Sequence, residues 1–356
     1  MQPSTTHIEK YLEEVIKKDA SDLHLQVGLP AMLRVDGRLV KSDNPMVLGE
    51  QAIEELVFTL IDDKQKALLT NQLELDFSFA FGDLGRFRVN AFHEKGSLAA
   101  AMRLIPTKIR TITELGLPKV VEQFSNLPRG LVLSTGPTGS GKSTTQAAMV
   151  DLINTNKSMH IITIEDPIEY QFHHKNSIIV QREVHFDTTS FASALRSSLR
   201  EDPDVVLIGE MRDLETIATA ITVAETGHLV LATLHTNGAA QSIDRMIDVF
   251  PAHQQQQIRT QLAGVLQGII NQRLIPMIGG GRMAAAEILV ANSAVRNLIR
   301  EGKTHQIGAV IQTSADEGMQ SMDKELVELA KSGKVSLEEA QMYAVDPKEF
   351  ERLMSK

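Results

Sequence analysis

Gly136-Pro137-Thr138-Gly139-Ser140-Gly141-Lys142-Ser143 fills every fixed position of G-x-x-x-x-G-K-[ST], the pattern that cradles nucleotide phosphates. A glycine-rich turn at a helix N-terminus aims backbone N–H groups at one point, and the helix dipole adds positive potential there. Glycine at 136, 139 and 141 permits close backbone approach and positive φ. The Lys142 ammonium is expected to reach the β- and γ-phosphates, and the Ser143 hydroxyl to take one position on nucleotide-bound Mg²⁺. Residues 136–143 together with Thr144 are therefore the candidate contacts to ATP.

Hydrolysis needs more than a cradle. Developing charge must be neutralised, a water oriented and the transition state met by positive charge. Glu210, in Gly209-Glu210-Met211-Arg212-Asp213, is the candidate for polarising that water and, partly through water, for holding Mg²⁺ with Ser143. Glu165 and Glu169 are expected to hold the ion through water or to support the polarisation. Carboxylates after strands also cap helices, and Asp213 before Leu214-Glu215-Thr216 has that look. His228 and His235 flank an apolar run; their odd separation argues against a shared metal. His235 is expected near the γ-phosphate and His228 at the strand's start, while either alone also fits a satisfied structural histidine.

These residues need a scaffold that brings them to one edge. Leu131-Val132-Leu133 precedes the loop as a buried strand would, and a helix pattern follows from Ser143. Further strands are expected at 160–164, 178–181, 205–208 and 229–233, with helices between several of them, which predicts a mainly parallel α/β sheet with its chemistry at the strands' carboxyl ends. From about 239 the sequence reads as largely helical, with a long helix over Gln254–Ile275 and a tight loop at Gly279-Gly280-Gly281.

The first hundred residues have a different rhythm. Helices are expected at about 5–18, 49–61 and 63–71, a hairpin around Asp36-Gly37, and a strand over 73–81. In Arg86-Phe87-Arg88-Val89-Asn90-Ala91-Phe92 the arginines share one face, and a turn at Lys95-Gly96 sets Arg88 opposite Arg103. Like charges so placed either hold an anion or splay towards carboxylates and water. The expected organisation is an α+β domain over 1–105, a linker over 106–115, and an ATPase domain over 116–356 with a helical part from about 290.

The formal net charge of −9 argues against a general nucleic-acid or anionic-membrane surface. No cysteine is present, which excludes disulfides and thiolate zinc sites. No apolar run of about eighteen residues and no leader-like N-terminus occur, so an unexported protein without membrane insertion is expected.

Four segments together resemble the type II and type IV secretion superfamily ATPases: the phosphate loop, Ile164–Glu169, Leu199 through Asp213, and Thr226 through Asn237. They match that family's Walker A, Asp-box, Walker B and His-box motifs in order. Ala294-Val295-Arg296-Asn297-Leu298-Ile299-Arg300-Glu301 is similar to the AIRNLIRE signature of the type IV pilus retraction group, with Val295 in place of isoleucine. The resemblance implies a PAS-like first domain, a RecA-like second domain and a homohexameric ring that hydrolyses ATP to drive pilus retraction. It also implies that Arg88 and Arg103, with Arg86 less clearly, enter a neighbouring subunit's site, and that 294–301 serves retraction. Arg196, Arg200 and Arg212 are further interface candidates, although i and i+4 spacing on a solvated helix face explains Arg196 and Arg200 equally well. An inner-membrane pilus platform protein and a paralogous retraction ATPase are the implied partners, at the cytoplasmic face of the inner membrane. A pilus extension or secretion ATPase and a nucleic-acid translocase are the other readings of the same core.

Overall fold

A computed structural model describes residues 7–355 except Asp36, Asp83, Pro106 and Thr107. The expected hairpin apex at Asp36, the start of the 106–115 linker and the first residues of the N-terminal helix lie outside the described residues. The chain divides into two compact units between Lys108 and Ile109.

In chain order the first unit contains α1 (Ile8–Lys17), β1 (Asp22–Leu25), β2 (Met32–Val35), β3 (Arg38–Lys41), α2 (Glu50–Phe58), α3 (Asp63–Gln72), β4 (Glu74–Phe81), β5 (Gly85–Glu94) and β6 (Ser97–Ile105). Its sheet runs β3-β2-β1-β6-β5-β4, and all pairings are antiparallel. Apolar residues alternate along the strands, so Leu23, Phe87, Val89 and Met102 share a core with Leu12 and Val15 of α1, Ile53 and Leu56 of α2 and Leu69 of α3. The opposite face carries a polar row. Arg34, Asp22, Arg103, Arg88 and Ser78 stand side by side across five strands. Lys95 and Gly96, both at positive φ, make the two-residue turn that sets this register, with Glu94 facing Ser97.

The second unit contains α4 (Val120–Ser125), β7 (Gly130–Thr135), α5 (Lys142–Asn156), β8 (His160–Glu165), β9 (Ile178–Glu183), α6 (Phe191–Ser198), β10 (Val205–Ile208), α7 (Leu214–Glu225), β11 (Leu229–Leu234), α8 (Ala239–Asp248), α9 (Ala252–Val265), β12 (Leu266–Pro276) and β13 (Arg282–Val290). After them come α10 (Ser293–Arg300), α11 (Ile307–Thr313), α12 (Met322–Lys331), α13 (Leu337–Met342) and α14 (Pro347–Met354). The sheet order is β13-β12-β7-β11-β10-β8-β9, parallel except for β13. Strands β7, β10 and β11 are buried along their whole length because helices cover both faces, which is why they read as continuous apolar runs.

The expected helix over Gln254–Ile275 is corrected: it ends at Val265, and 266–276 is a strand. Seven of the ten residues in Leu266–Ile275 are buried, so its apolar residues show no period of two, and spacing alone does not separate helix from strand. Three β-branched residues, Ile269, Ile270 and Ile275, favour the pleated form. Gly268 is required by packing, since a Cβ there would run into the Phe124 ring. The region after 239 is thus a mixture; the continuous helical part begins at Ser293.

Candidate active site

Parallel registry decides what meets at the sheet edge. Thr135 pairs with Leu234, Ala232 with Ile208, and Ile208 with Ile164, so the segments after β7, β11, β10 and β8 leave the sheet together. Those segments carry Gly136, His235, Glu210 and the residues following Glu165. Gly209 makes the packing possible: its N–H donates to Ile164 O at 2.8 Å, and a Cβ would press on the Glu165 backbone.

The phosphate loop turns at Gly136, φ 139°, where any side chain would collide with the Gln272 carbonyl. Gly141 caps α5 without a side-chain acceptor, leaving the first-turn N–H groups directed at the loop. The Ser140 hydroxyl is buried with no hydrogen-bond partner. An unsatisfied buried hydroxyl beside unpaired helix N–H groups fits a phosphate-bearing ligand. Lys142 is 7% exposed, and its Nζ donates to the Gly136 and Pro137 carbonyls at 2.9 and 3.0 Å. Burial pushes its pKa down, while Glu210 and Glu169 oppose that.

A cleft of about 520 Å³ opens beside this loop, lined by Thr138, Gly139, Lys142, Ser143, Glu165, Glu169, Glu210 and His235. The Glu210 carboxylate accepts from Arg212 Nε at 2.6 Å and lies 3.3 Å from His235 Nε2. Burial pushes the Glu210 pKa up, but the Arg212 hydrogen bond, His235 and Lys142 together outweigh it and hold the group below the usual range. Glu165 behaves oppositely. Buried at the end of β8, it is pushed up to about 7 despite accepting from Thr163 Oγ1 at 2.6 Å and from the Glu169 N–H and Gln181 Nε2 at 3.3 Å. The two glutamates therefore differ at neutral pH: Glu210 is ionised, and Glu165 is poised between its forms. The Thr144 hydroxyl is 2.8 Å from the Tyr170 hydroxyl.

His228 is not brought to this cleft. It precedes β11 at the opposite end of the sheet, where its carbonyl accepts from the Gly130 N–H and its Nδ1 lies 2.9 Å from Val223 O. Six strand residues separate it from His235, so His228, a catalytic candidate, does not line this cleft. Asp213 caps α7, accepting from the Thr216 N–H at 2.9 Å. Arg196 is ion-paired with Glu215. Arg296 donates to the Ala263 and Gly264 carbonyls at the end of α9, so it caps that helix.

Arg88 and Arg103 face each other in the first unit, and both are exposed. Arg103 Nε donates to Asp22 at 2.9 Å, whereas Arg88 makes no hydrogen bond or ion pair among the described residues. Asp22 was not singled out from the sequence, although its alternation with Leu23 and Leu25 places it on the arginine face.

A second cleft of about 510 Å³ lies on the other side of the loop, reaching Gly141, Thr144 and Thr145. Leu115, Leu274, Met277 and Met283 supply apolar walls, and Arg110, Glu114 and Arg282 supply charge. Sequence reading missed it because its walls come from 110–116 and 272–284, which share no motif.

A phosphate loop on a mainly parallel sheet, with an ionised glutamate and a histidine at the carboxyl edge, defines a P-loop NTPase class. The chain belongs to the type II/IV secretion system protein family, whose pattern matches residues 1–342. It is 51% identical over 334 residues to the type IV pilus retraction ATPase PilT of Pseudomonas aeruginosa, covering 94% of this chain and 97% of that protein. The P. aeruginosa type IV pilus ATPase PilU is 39% identical, covering 98% and 91%. A crystal structure of the pilus retraction motor PilT with bound ADP superposes with a TM-score of 0.91 at 50% identity, covering 98% of this chain and 99% of that one. The Legionella pneumophila ATPase DotB follows at TM-score 0.82 and 26% identity, covering 96% and 97%.

Proposed function

We propose that this chain is an ATP-hydrolysing motor of type IV pilus retraction, acting as a homohexameric ring. The observation that carries the chemistry is Glu210, kept ionised 3.3 Å from His235 at the mouth of the phosphate loop. End-to-end similarity to PilT supports the assignment to retraction.

The N–H groups of the loop and of the start of α5 bind the phosphates, and Lys142 exchanges its carbonyl partners for the β- and γ-oxygens. Ser143 and, partly through water, Glu210 would hold a Mg²⁺ ion, which would supply charge neutralisation. Glu210 accepts a hydrogen bond from the attacking water and orients it; His235 meets the γ-phosphate beside it. Glu165 and Glu169 back that arrangement from β8. The nucleoside extends past Thr144 into the second cleft, where Leu115, Leu274 and Met283 offer apolar surface to a base.

In the ring, Arg88 and Arg103 complete the site of a neighbouring copy, which supplies the remaining positive charge. The PAS-like domain spans 1–105, the linker 106–115 and the RecA-like ATPase domain 116–356. An inner-membrane pilus platform protein and a paralogous retraction ATPase are the partners, which places the motor at the cytoplasmic face of the inner membrane. Among the described residues no helix is long and apolar enough to cross a membrane.

Cells lacking the protein should keep surface pili and lose their retraction, as seen by imaging labelled filaments. Loss of the pili themselves would assign extension or secretion instead.

A further inference from the structure

His235 ends on a loop, Thr236-Asn237-Gly238, that leads into α8, and this loop is tied to two strands outside it. Asn271 on β12, 2% exposed, donates its Nδ2 to Thr236 O at 3.0 Å and to Thr135 Oγ1 at 2.8 Å. Thr135 is the last residue before the phosphate loop. Directly opposite Asn271 in the antiparallel register stands Glu287 on β13. Its Oε1 accepts from the Ala239 N–H at 2.7 Å, the first residue of a helix whose cap, Gly238, has no side-chain acceptor of its own. The remaining polar contacts of the loop are internal: Asn237 N–H to Gln241, and Thr236 and Gly238 to Ser242. They shape the turn without fixing where it sits.

The geometry points to Glu287 and Asn271 as a positioning pair that clamps the His235 loop against the strand entering the phosphate loop. A carboxylate at the start of α8 answers the unpaired N–H and the dipole there, and the amide opposite bridges the two loops that must meet the γ-phosphate. Neither side chain lines the cleft, so they act through His235 rather than on the nucleotide. This inference rests on the ATPase reading given above.

The test is a double-mutant cycle on the full-length ring, following phosphate release from ATP, with thermal unfolding recorded for every variant. Glu287→Ala should lower kcat about tenfold and leave KM within about twofold, since binding by the phosphate loop is untouched. Glu287→Gln keeps an acceptor for the Ala239 N–H and should stay within about twofold of wild type. Asn271→Ala should behave as Glu287→Ala does. Combined with His235→Ala, neither alanine change should lower kcat further. Additive losses, a Glu287→Gln defect equal to the alanine one, or wild-type kcat in Glu287→Ala and Asn271→Ala would each overturn the clamp. A wild-type ring that releases no phosphate would instead overturn the ATPase reading and the clamp with it.

Discussion

His235 Nε2 lies 3.3 Å from Glu210 Oε1, and Arg212 Nε lies 2.6 Å from the same oxygen. One acid beside a guanidinium and an imidazole stays ionised in a half-buried cleft. A glutamate fixed in this form accepts a hydrogen bond from water without first having to lose a proton.

Glu210→Gln keeps size and shape but removes the charge. The ring should bind ATP within a few-fold of wild type, measured by a fluorescent nucleotide, while phosphate release falls at least about a hundredfold. Preserved turnover would remove Glu210 from the chemistry.

Arg212 is expected to set the acid limit of the reaction. Glu210 is depressed below the ordinary glutamate value, so activity that needs its carboxylate is present above that value and is lost only as pH falls through the lower, folded one. In Arg212→Ala burial is no longer offset by that hydrogen bond, and the acid limb of kcat against pH should move upward. An unmoved limb would show that another group sets it.

Glu165 gives a prediction about stability. Its folded pKa of about 7 exceeds the ordinary 4.5, so the stability it confers is fully present below about 4.5 and is lost as pH rises through 7. Without nucleotide, Glu165→Gln should therefore gain on wild type as pH is raised from 5 to 8, by an amount on the order of 3 kcal/mol. Denaturant titrations of both proteins at each pH give this difference directly, and a constant offset would refute it.

Arg88 and Arg103 are expected to separate by their partners. Arg88→Ala should lower the assembled ring's turnover about tenfold or more while leaving stability within about 0.5 kcal/mol, because the side chain is exposed and unpaired among the described residues. Arg103→Ala should lower turnover too, and should also leave the Asp22 carboxylate, 8% exposed, without its closest cation. Wild-type turnover in both would end the between-subunit reading.

The meeting of the phosphate loop, Glu210 and His235 at one cleft was legible because each follows a short apolar strand. The Arg88–Arg103 pairing was legible because a two-residue turn dictates register. What escaped the sequence depends on contacts between distant segments. Asp22 meets Arg103 across 81 positions, and the second cleft is assembled from two stretches without a shared pattern. Strand β12 was misread as helix because burial on both faces erases the alternation that marks a strand. His228 was legible as the start of the strand that ends before His235, and a strand carries its two ends to opposite edges of a sheet.

Strands β12 and β13 pair without interruption from Gly268 opposite Val290 to Pro276 opposite Arg282. Along this ribbon lie the clamp on the His235 loop, one wall of the second cleft and, through Ile275 and Ala285, the core shared with α12, α13 and α14. One pair of strands therefore joins the packing of the C-terminal helices to the placement of the His235 loop.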